Sequence, residues 1–381
     1  MIPRYVIARP ELGEPEWQAV RDVIESGWVT QGPKVSEFER AVADYCQADH
    51  GVAVSSCTAA LHLALVCAGV GPGDEVIVPS MSFIATANAV VHAGATPVFA
   101  EVDPTTFNLD LSDAESRITP RTKAIMVAHQ LGLPADIDGF VELTNKHQLS
   151  FIEDAACAIG SSYRNKPIGS HSAFVCFSFH PRKLVTTGDG GMILTSSSEH
   201  AERLRRLRHH GMTVSDLARH QATDIVRESY DEVGYNYRLT DLQAAVGIEQ
   251  LRRLPAILTK RKELSESYNQ ALANHEVIRT PVVSPEVDWN VQTYAVRLDG
   301  FDASRRDSVM RTLLGAGIAT RSGVMTAHRE LAYTHGKGPI SLPLSEIASD
   351  TSIALPLHGG MTNDDCQIIS AALVAAVEEI R

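Results

Sequence analysis

Lys183 closes the run Phe177-Ser178-Phe179-His180-Pro181-Arg182-Lys183, and Thr186-Thr187-Gly188-Asp189-Gly190-Gly191 follows shortly after. An apolar strand ending near Ser178 would hand over to a loop that presents a hydroxyl and an amine five positions apart. The glycines let that loop turn back sharply into the next strand. A second run, Phe151-Ile152-Glu153-Asp154-Ala155-Ala156-Cys157, reads as an apolar strand ending in two acids. Ligands gather at the carboxyl ends of strands in open α/β sheets, so an aspartate there can anchor a cationic ring nitrogen. In a third run, Ser55-Ser56-Cys57-Thr58-Ala59-Ala60-Leu61-His62, small hydroxyl residues stand between a strand and an alanine-rich helix. Backbone N–H groups, hydroxyls and the helix dipole together suit one phosphate. Each run has a plainer reading in isolation: a solvated loop lysine, an aspartate helix cap, and N-capping by Ser56 or Thr58. A fourth, Gly234-Tyr235-Asn236-Tyr237-Arg238-Leu239-Thr240, sets an amide and a guanidinium before a capped helix and says little alone.

A phosphate cradle, an acid for a ring nitrogen and an amine for an aldehyde are the three attachments that pyridoxal 5'-phosphate (PLP) needs, and they come in that order along the chain. The elements that must position them form an α/β fold. Roughly the first 250 residues alternate short apolar runs with helical patterns, the signature of a largely parallel sheet. Candidate strands are Val52–Ser55, Glu75–Pro79, Pro97–Val102, Lys123–Ala128, Ser150–Glu153, Phe174–Ser178 and Gly191–Thr195. Helices are expected at Ala59–Ala68, Ile84–Ala93 and Glu199–His209. Thr240-Asp241-Leu242-Gln243 is a capping-box pattern opening a helix to about Leu254. After Pro255 a separate charged helix, Ile257–Ala273, would connect to a smaller C-terminal α+β domain. That domain would hold a strand at Thr293–Leu298 and helices near Arg305–Leu314 and Asp364–Glu379. The expected division is a large domain over 1–254 and a small one over 255–381.

Composition narrows the function classes. Of 381 residues 44% are apolar, and 34 basic against 46 acidic side chains leave a net charge of -12. Such a chain is poorly suited to hold a nucleic acid over a broad surface, while a small anionic ligand needs only a few placed donors. The six cysteines form no C-x-x-C pair and no zinc spacing, so a reduced, cytoplasmic protein without a metal is expected. Prolines and charges break up the N-terminal run, so no signal peptide is expected there. The most apolar stretch, Phe83 to Ala100, is interrupted by Asn88, His92 and Pro97 and reads as a buried helix and strand, not a membrane span.

At these residues the sequence resembles the DegT/DnrJ/StrS-type family of PLP-dependent sugar aminotransferases, with the fold type I architecture of aspartate aminotransferase. The resemblance starts with SGWVTQGPKVSEFE and continues through CTAALHLAL, GVGPGDEVIVPS, ATANAVVHAGATPVF, EDAACAIGSSY, FSFHPRK, GDGGMI and GYNYRLTDLQAA. It weakens over about the last 100 residues. It implies a Schiff base on Lys183, Asp154 against the pyridine nitrogen, and Ser178 with Ser56, Cys57 and Thr58 around the phosphate. Phe83 matches the aromatic that stacks on the ring. Asn236, with Arg238, matches a segment that reaches a neighbouring subunit's phosphate, which implies a homodimer with composite sites. The family usually carries glutamine, near the cofactor's phenolic oxygen, where Cys157 stands, and commonly glycine at Cys57. His180 has two readings, facing substrate or structural. Arg321 and His328 are candidate substrate contacts, with surface charge as the other reading. The implied reaction transfers an amino group, from glutamate by resemblance, to a keto sugar, most naturally a nucleotide-linked keto-deoxysugar. A cyclitol or other ring acceptor, or different PLP chemistry, are the alternatives.

Overall fold

A computed structural model of the chain describes residues 3–214, 219, 223–225, 227–335 and 340–381. Nine strands come first: β1 (His50–Val54), β2 (Glu75–Pro79), β3 (Thr96–Ala100), β4 (Thr122–Ala128), β5 (Ser150–Asp154), β6 (Ser162–Tyr163), β7 (Lys166–Pro167), β8 (Phe174–Ser178) and β9 (Gly191–Thr195). Seven of them form one sheet in the order β1-β9-β8-β5-β4-β2-β3. The β3-β2-β4-β5-β8 ladder is parallel, and β9 runs antiparallel to both β8 and β1. Every residue of β2, β8 and β9 is buried, because helices cover both faces and only apolar runs tolerate that position. Phe38, Val42, Phe140 and Phe177 belong to the core on one side, Leu61, Leu65, Val90 and Leu204 to that on the other.

The helices start where short polar side chains can take up free N–H groups. Ser56, Asp136, Ser197, Asp302 and Thr362 each accept from the backbone N–H three residues on. Thr240 does so as well, with Gln243 reaching back to complete the capping box. The expected end of that helix at Leu254 is corrected: one helix runs unbroken from Asp241 to Leu272 with Pro255 inside it. Proline removes one hydrogen bond and costs about 3 kcal/mol in a helix interior. Buried Leu251, Leu254, Ile257, Leu264, Tyr268 and Leu272 line one side of this helix and offset that cost.

Beyond it lie β10 (Ile278–Arg279), β11 (Val287–Asp288), β12 (Ala295–Leu298), β13 (Arg321–Ser322) and β14 (Ser352–Ala354). A four-stranded sheet, β10-β12-β14-β13, packs with the helices Ala303–Gly315 and Asn363–Ile380. The N-terminal segment joins this unit, since Tyr5 bridges to Ile318 and sits in its core. Arg261, on the long helix, ties that helix to two segments of the C-terminal unit. Its buried guanidinium donates to the carbonyls of Val291 (2.8 Å), Leu357 (3.2 Å) and Gln292 (2.6 Å). Burial pulls its pKa down to about 10, so it stays charged at neutral pH. Among the described residues no helix is long and apolar enough to cross a membrane.

Candidate active site

A cavity of about 410 Å³ opens where β4, β5 and β8 end, and Arg321–Val324 and residues 354, 355 and 357 of the C-terminal unit face it. Lys183, Asp154, Ser56, Cys57, Thr58, Phe83, Cys157, Ser178, His180 and Arg321 all line it. Residues spread over 266 positions of the sequence thus meet at one opening (321 minus 56, counted inclusively).

Asp154 is the last residue of β5 and is buried. One carboxylate oxygen accepts from Thr86 Oγ1 at 2.7 Å and the other from the Ala156 N–H at 3.2 Å. Thr86 is itself held by Ser82 at 2.7 Å. Burial pushes the Asp154 carboxyl above the usual aspartate value, and Thr86, the Ala156 N–H and the Lys183 charge offset this only in part. A buried carboxylate without an ion-pair partner among the described residues suits a cationic ring nitrogen.

Lys183 lies on the loop between β8 and β9. The loop is closed by Lys183 N–H to the His180 carbonyl (2.8 Å) and Thr187 N–H to the Phe179 carbonyl (3.0 Å). The Lys183 Nζ donates to Cys157 Sγ at 2.9 Å. Burial pushes the amine's pKa down, but Cys157, Cys57 and Asp154 push it up by more, so the net shift is upward. Cys157→Ala should therefore raise the neutral fraction of the amine and speed its capture of PLP at pH 7.5. One pKa unit would correspond to about tenfold in that fraction. A capture rate unchanged from wild type would leave the thiol as a space-filler.

The phosphate turn has the expected form. Ser56 Oγ accepts from the Ala59 N–H at 3.1 Å, and the N–H groups of Cys57 and Thr58 have no acceptor among the described residues. They face the cavity at the positive end of the helix Cys57–Cys67. Gly191 is required beside them, because a Cβ there would stand 2.5 Å from the Ser56 carbonyl. Ser178 ends β8 on the same wall, and Phe83, 64% exposed, presents its ring from the start of the next helix.

Three predicted residues fall outside the cavity. His328 is wholly buried, held by Ser80 Oγ and, at 3.1 Å, by Glu346. The structure places it in the interior, away from the residues that line the cavity, where it bonds Ser80 and Glu346. Asn236 is exposed and bridges to His209 through its backbone, and the Arg238 guanidinium bonds the His209 ring. Their segment runs behind the phosphate turn, with the Ser55 N–H donating to the Tyr237 carbonyl at 2.8 Å.

The structure adds residues the motifs did not single out. His129, on the cavity wall, accepts from the Ala135 N–H through Nδ1 at 3.1 Å and meets Glu153 through Nε2 at 2.9 Å. That network assigns the proton to Nε2. Arg182 and Gln292 also line the cavity. Arg182 stood in view beside Lys183, whereas Gln292 sits in a segment with no motif.

PLP fits these residues: a phosphate at the unpaired N–H groups, a pyridine nitrogen at the lone carboxylate and an aldehyde at the Lys183 amine. Fold and site together define a fold type I PLP-dependent aminotransferase. The chain belongs to the DegT/DnrJ/EryC1/StrS aminotransferase family, which it matches over residues 10–374. It is 40% identical to the GDP-perosamine synthase of Caulobacter vibrioides over 98% of both chains. The aminotransferase TlmJ from Streptoalloteichus hindustanus superposes with a TM-score of 0.91 at 35% identity, covering 99% of this chain and 100% of that one. Spr1654 of Streptococcus pneumoniae, described as a sugar aminotransferase and solved in its PLP form, gives 0.92 at 29% identity over 99% of each chain.

Proposed function

We propose that this enzyme aminates a nucleotide-linked keto sugar in two half-reactions at one cavity, with glutamate as the donor. The observation that carries this is the convergence of the Lys183 amine, the buried Asp154 carboxylate and the unpaired N–H groups at Cys57 and Thr58. The 40% identity to an enzyme named for a GDP-linked sugar supports the substrate class. When bound, PLP supplies an electrophilic carbon and a ring that accepts electrons. Asp154 holds a proton on the ring nitrogen. Ser178 and the Ser56-Cys57-Thr58 turn would hold the phosphate, and Phe83 would stack on the ring. Lys183 Nζ would hold the cofactor through its aldehyde carbon and, as a free amine, would take and return the proton at the reacting carbon. Arg321 offers a positive contact to substrate from the C-terminal side, and His180 lines the cavity from the loop that carries Lys183.

Asn236 and Arg238, placed outside their own chain's cavity, would serve a second copy's phosphate, which makes the working unit a homodimer. We read 1–254 as the half that holds cofactor and 255–381, joined by the N-terminal segment at Tyr5, as the half that covers it, with the helix Asp241–Leu272 crossing between them, in a cytoplasmic enzyme.

The test is to load the enzyme with PLP, add L-glutamate, and follow cofactor absorbance against 2-oxoglutarate released. The amine-loaded enzyme is then offered keto-sugar nucleotides, the same sugars without nucleotide, and keto-cyclitols. We expect stoichiometric 2-oxoglutarate and discharge by a keto-sugar nucleotide. Faster discharge by a cyclitol or a free sugar would overturn the substrate class. No change with any amino donor would overturn the donor half-reaction.

A further inference from the structure

We propose that Arg182 and Gln292 form the acceptor subsite of this enzyme: the Arg182 guanidinium grips the diphosphate that links sugar to nucleoside, and Gln292 Oε1 accepts from a hydroxyl of the sugar. The inference rests on the nucleotide-linked reading of the acceptor.

Arg182 directly precedes Lys183, and its backbone is pinned on both sides. Its N–H donates to His180 Nδ1 at 3.2 Å, and its carbonyl accepts from Gln292 Nε2 at 3.2 Å. The side chain is exposed on the cavity wall, and its guanidinium has no hydrogen-bond or ion-pair partner among the described residues. Arg329, by contrast, is gripped by both oxygens of Asp350, while Arg321, also on the cavity, shares with Arg182 the lack of a side-chain partner among the described residues. An unpaired guanidinium at a cavity wall is an anion site waiting for its ligand, and its planar fork matches two phosphate oxygens.

Gln292 is the second, independent observation. The residue is 8% exposed and lines the cavity. Its Nε2 is committed to the Arg182 carbonyl and to Thr293 Oγ1 at 3.2 Å. Its Oε1 is buried with no partner. Reversing the amide would set its oxygen against the Arg182 carbonyl, so the orientation is dictated by its neighbours. A small side-chain movement would offer Oε1 to a donor entering the cavity.

The orphan acceptor decides which substrate the pair serves. An amino-acid donor reacting through its nitrogen has only carboxylates left, and these cannot donate to Gln292. A sugar brings hydroxyl donors, and a nucleotide linkage brings the anion. The other cavity charges lie apart from this pair. Asp154 and Lys183 face the cofactor's attachment points, and Asp189 precedes the Gly190-Gly191 pair packed on the Ser56 turn. Arg321 approaches from β13, on the opposite, C-terminal wall.

The test uses PLP-loaded enzyme and measures the two half-reactions separately, with calorimetric binding of GDP and of inorganic pyrophosphate. Arg182→Ala should lower acceptor kcat/KM by roughly a hundredfold, mainly through KM, and weaken GDP and pyrophosphate by at least about tenfold. The donor half-reaction should change by less than about threefold. Arg182→Lys should recover part of the loss, and Arg311→Ala, a helix-surface change of equal charge, none of the effect. Gln292→Leu, which also frees the Arg182 carbonyl, should weaken the keto-sugar nucleotide by several-fold more than pyrophosphate, and equal weakening of both would overturn the sugar contact. Equal slowing of both half-reactions, loss of PLP from Arg182→Ala, or wild-type affinity for GDP in that variant would each overturn the assignment. Failure of the underlying reading shows differently: wild-type enzyme would then prefer ketones that carry no nucleotide.

Discussion

Lys183→Ala should retain PLP through phosphate and ring contacts yet lose turnover by roughly 10⁴-fold or more. Among the described residues no other lysine lines the cavity. Among the lysines on the large sheet and its helices, Lys123 is exposed on β4, Lys146 pairs with Glu115 at 2.6 Å, and Lys166 bonds the Ser170 carbonyl at 2.8 Å. Borohydride reduction of the wild type should attach the cofactor to Lys183, as peptide mapping would show. A label on Lys123, Lys146 or Lys166, or turnover surviving in Lys183→Ala, would end the assignment. The same variant tests the composite site. Mixed with Asn236→Ala, it should form hybrid dimers in which one site carries both lesions and the other neither. Activity should then partly recover. Demonstrated subunit exchange without recovery would mean that Asn236 serves its own chain.

Asp154→Asn should have opposite effects on catalysis and on the stability of cofactor-free protein. For catalysis, an amide cannot keep a proton on the ring nitrogen, and a loss of about 10²–10⁴ in kcat is expected. For stability, the sign follows from the upward shift that burial imposes on this carboxyl. A carboxyl with a raised pKa binds its proton more tightly in the folded state, so stability falls as pH climbs from the ordinary aspartate value through the raised one. At pH 7 the wild-type apoprotein therefore carries a destabilising buried charge that asparagine lacks. Apo Asp154→Asn should melt about 1–3 °C above apo wild type at pH 7. The gap should close toward pH 4, and PLP should stabilise wild type more than the variant. An apo variant that melts lower at pH 7 and shows no narrowing with pH would contradict this account of the carboxylate.

The central sheet was legible because its strands are covered on both faces. Glu75–Pro79, Phe174–Ser178 and Gly191–Thr195 appear within the bounds their apolar runs indicate. Capping chemistry is equally local, and Thr240 with Gln243 starts its helix as read. Pro255 shows where local reading stops. A proline argues for a break, but apolar residues on both sides of it bury one continuous face, and tertiary packing outweighs the lost hydrogen bond.

The types and order of the chemical groups were a property of the sequence: an amine after β8, a carboxylate closing β5, hydroxyls and free N–H groups opening a helix. Side-chain chemistry and strand ends are local features, so a linear reading can find them. Which groups share one space is a different matter, because it depends on chain segments far apart meeting at the sheet's edge. Only the tertiary structure buried Asp154 under Thr86, brought Cys157 to 2.9 Å from the Lys183 amine, and withdrew His328 to pair with Ser80 and Glu346. Only it set Gln292 beside Arg182, across 110 positions of sequence, because contact and burial, unlike chemical type, belong to no single segment.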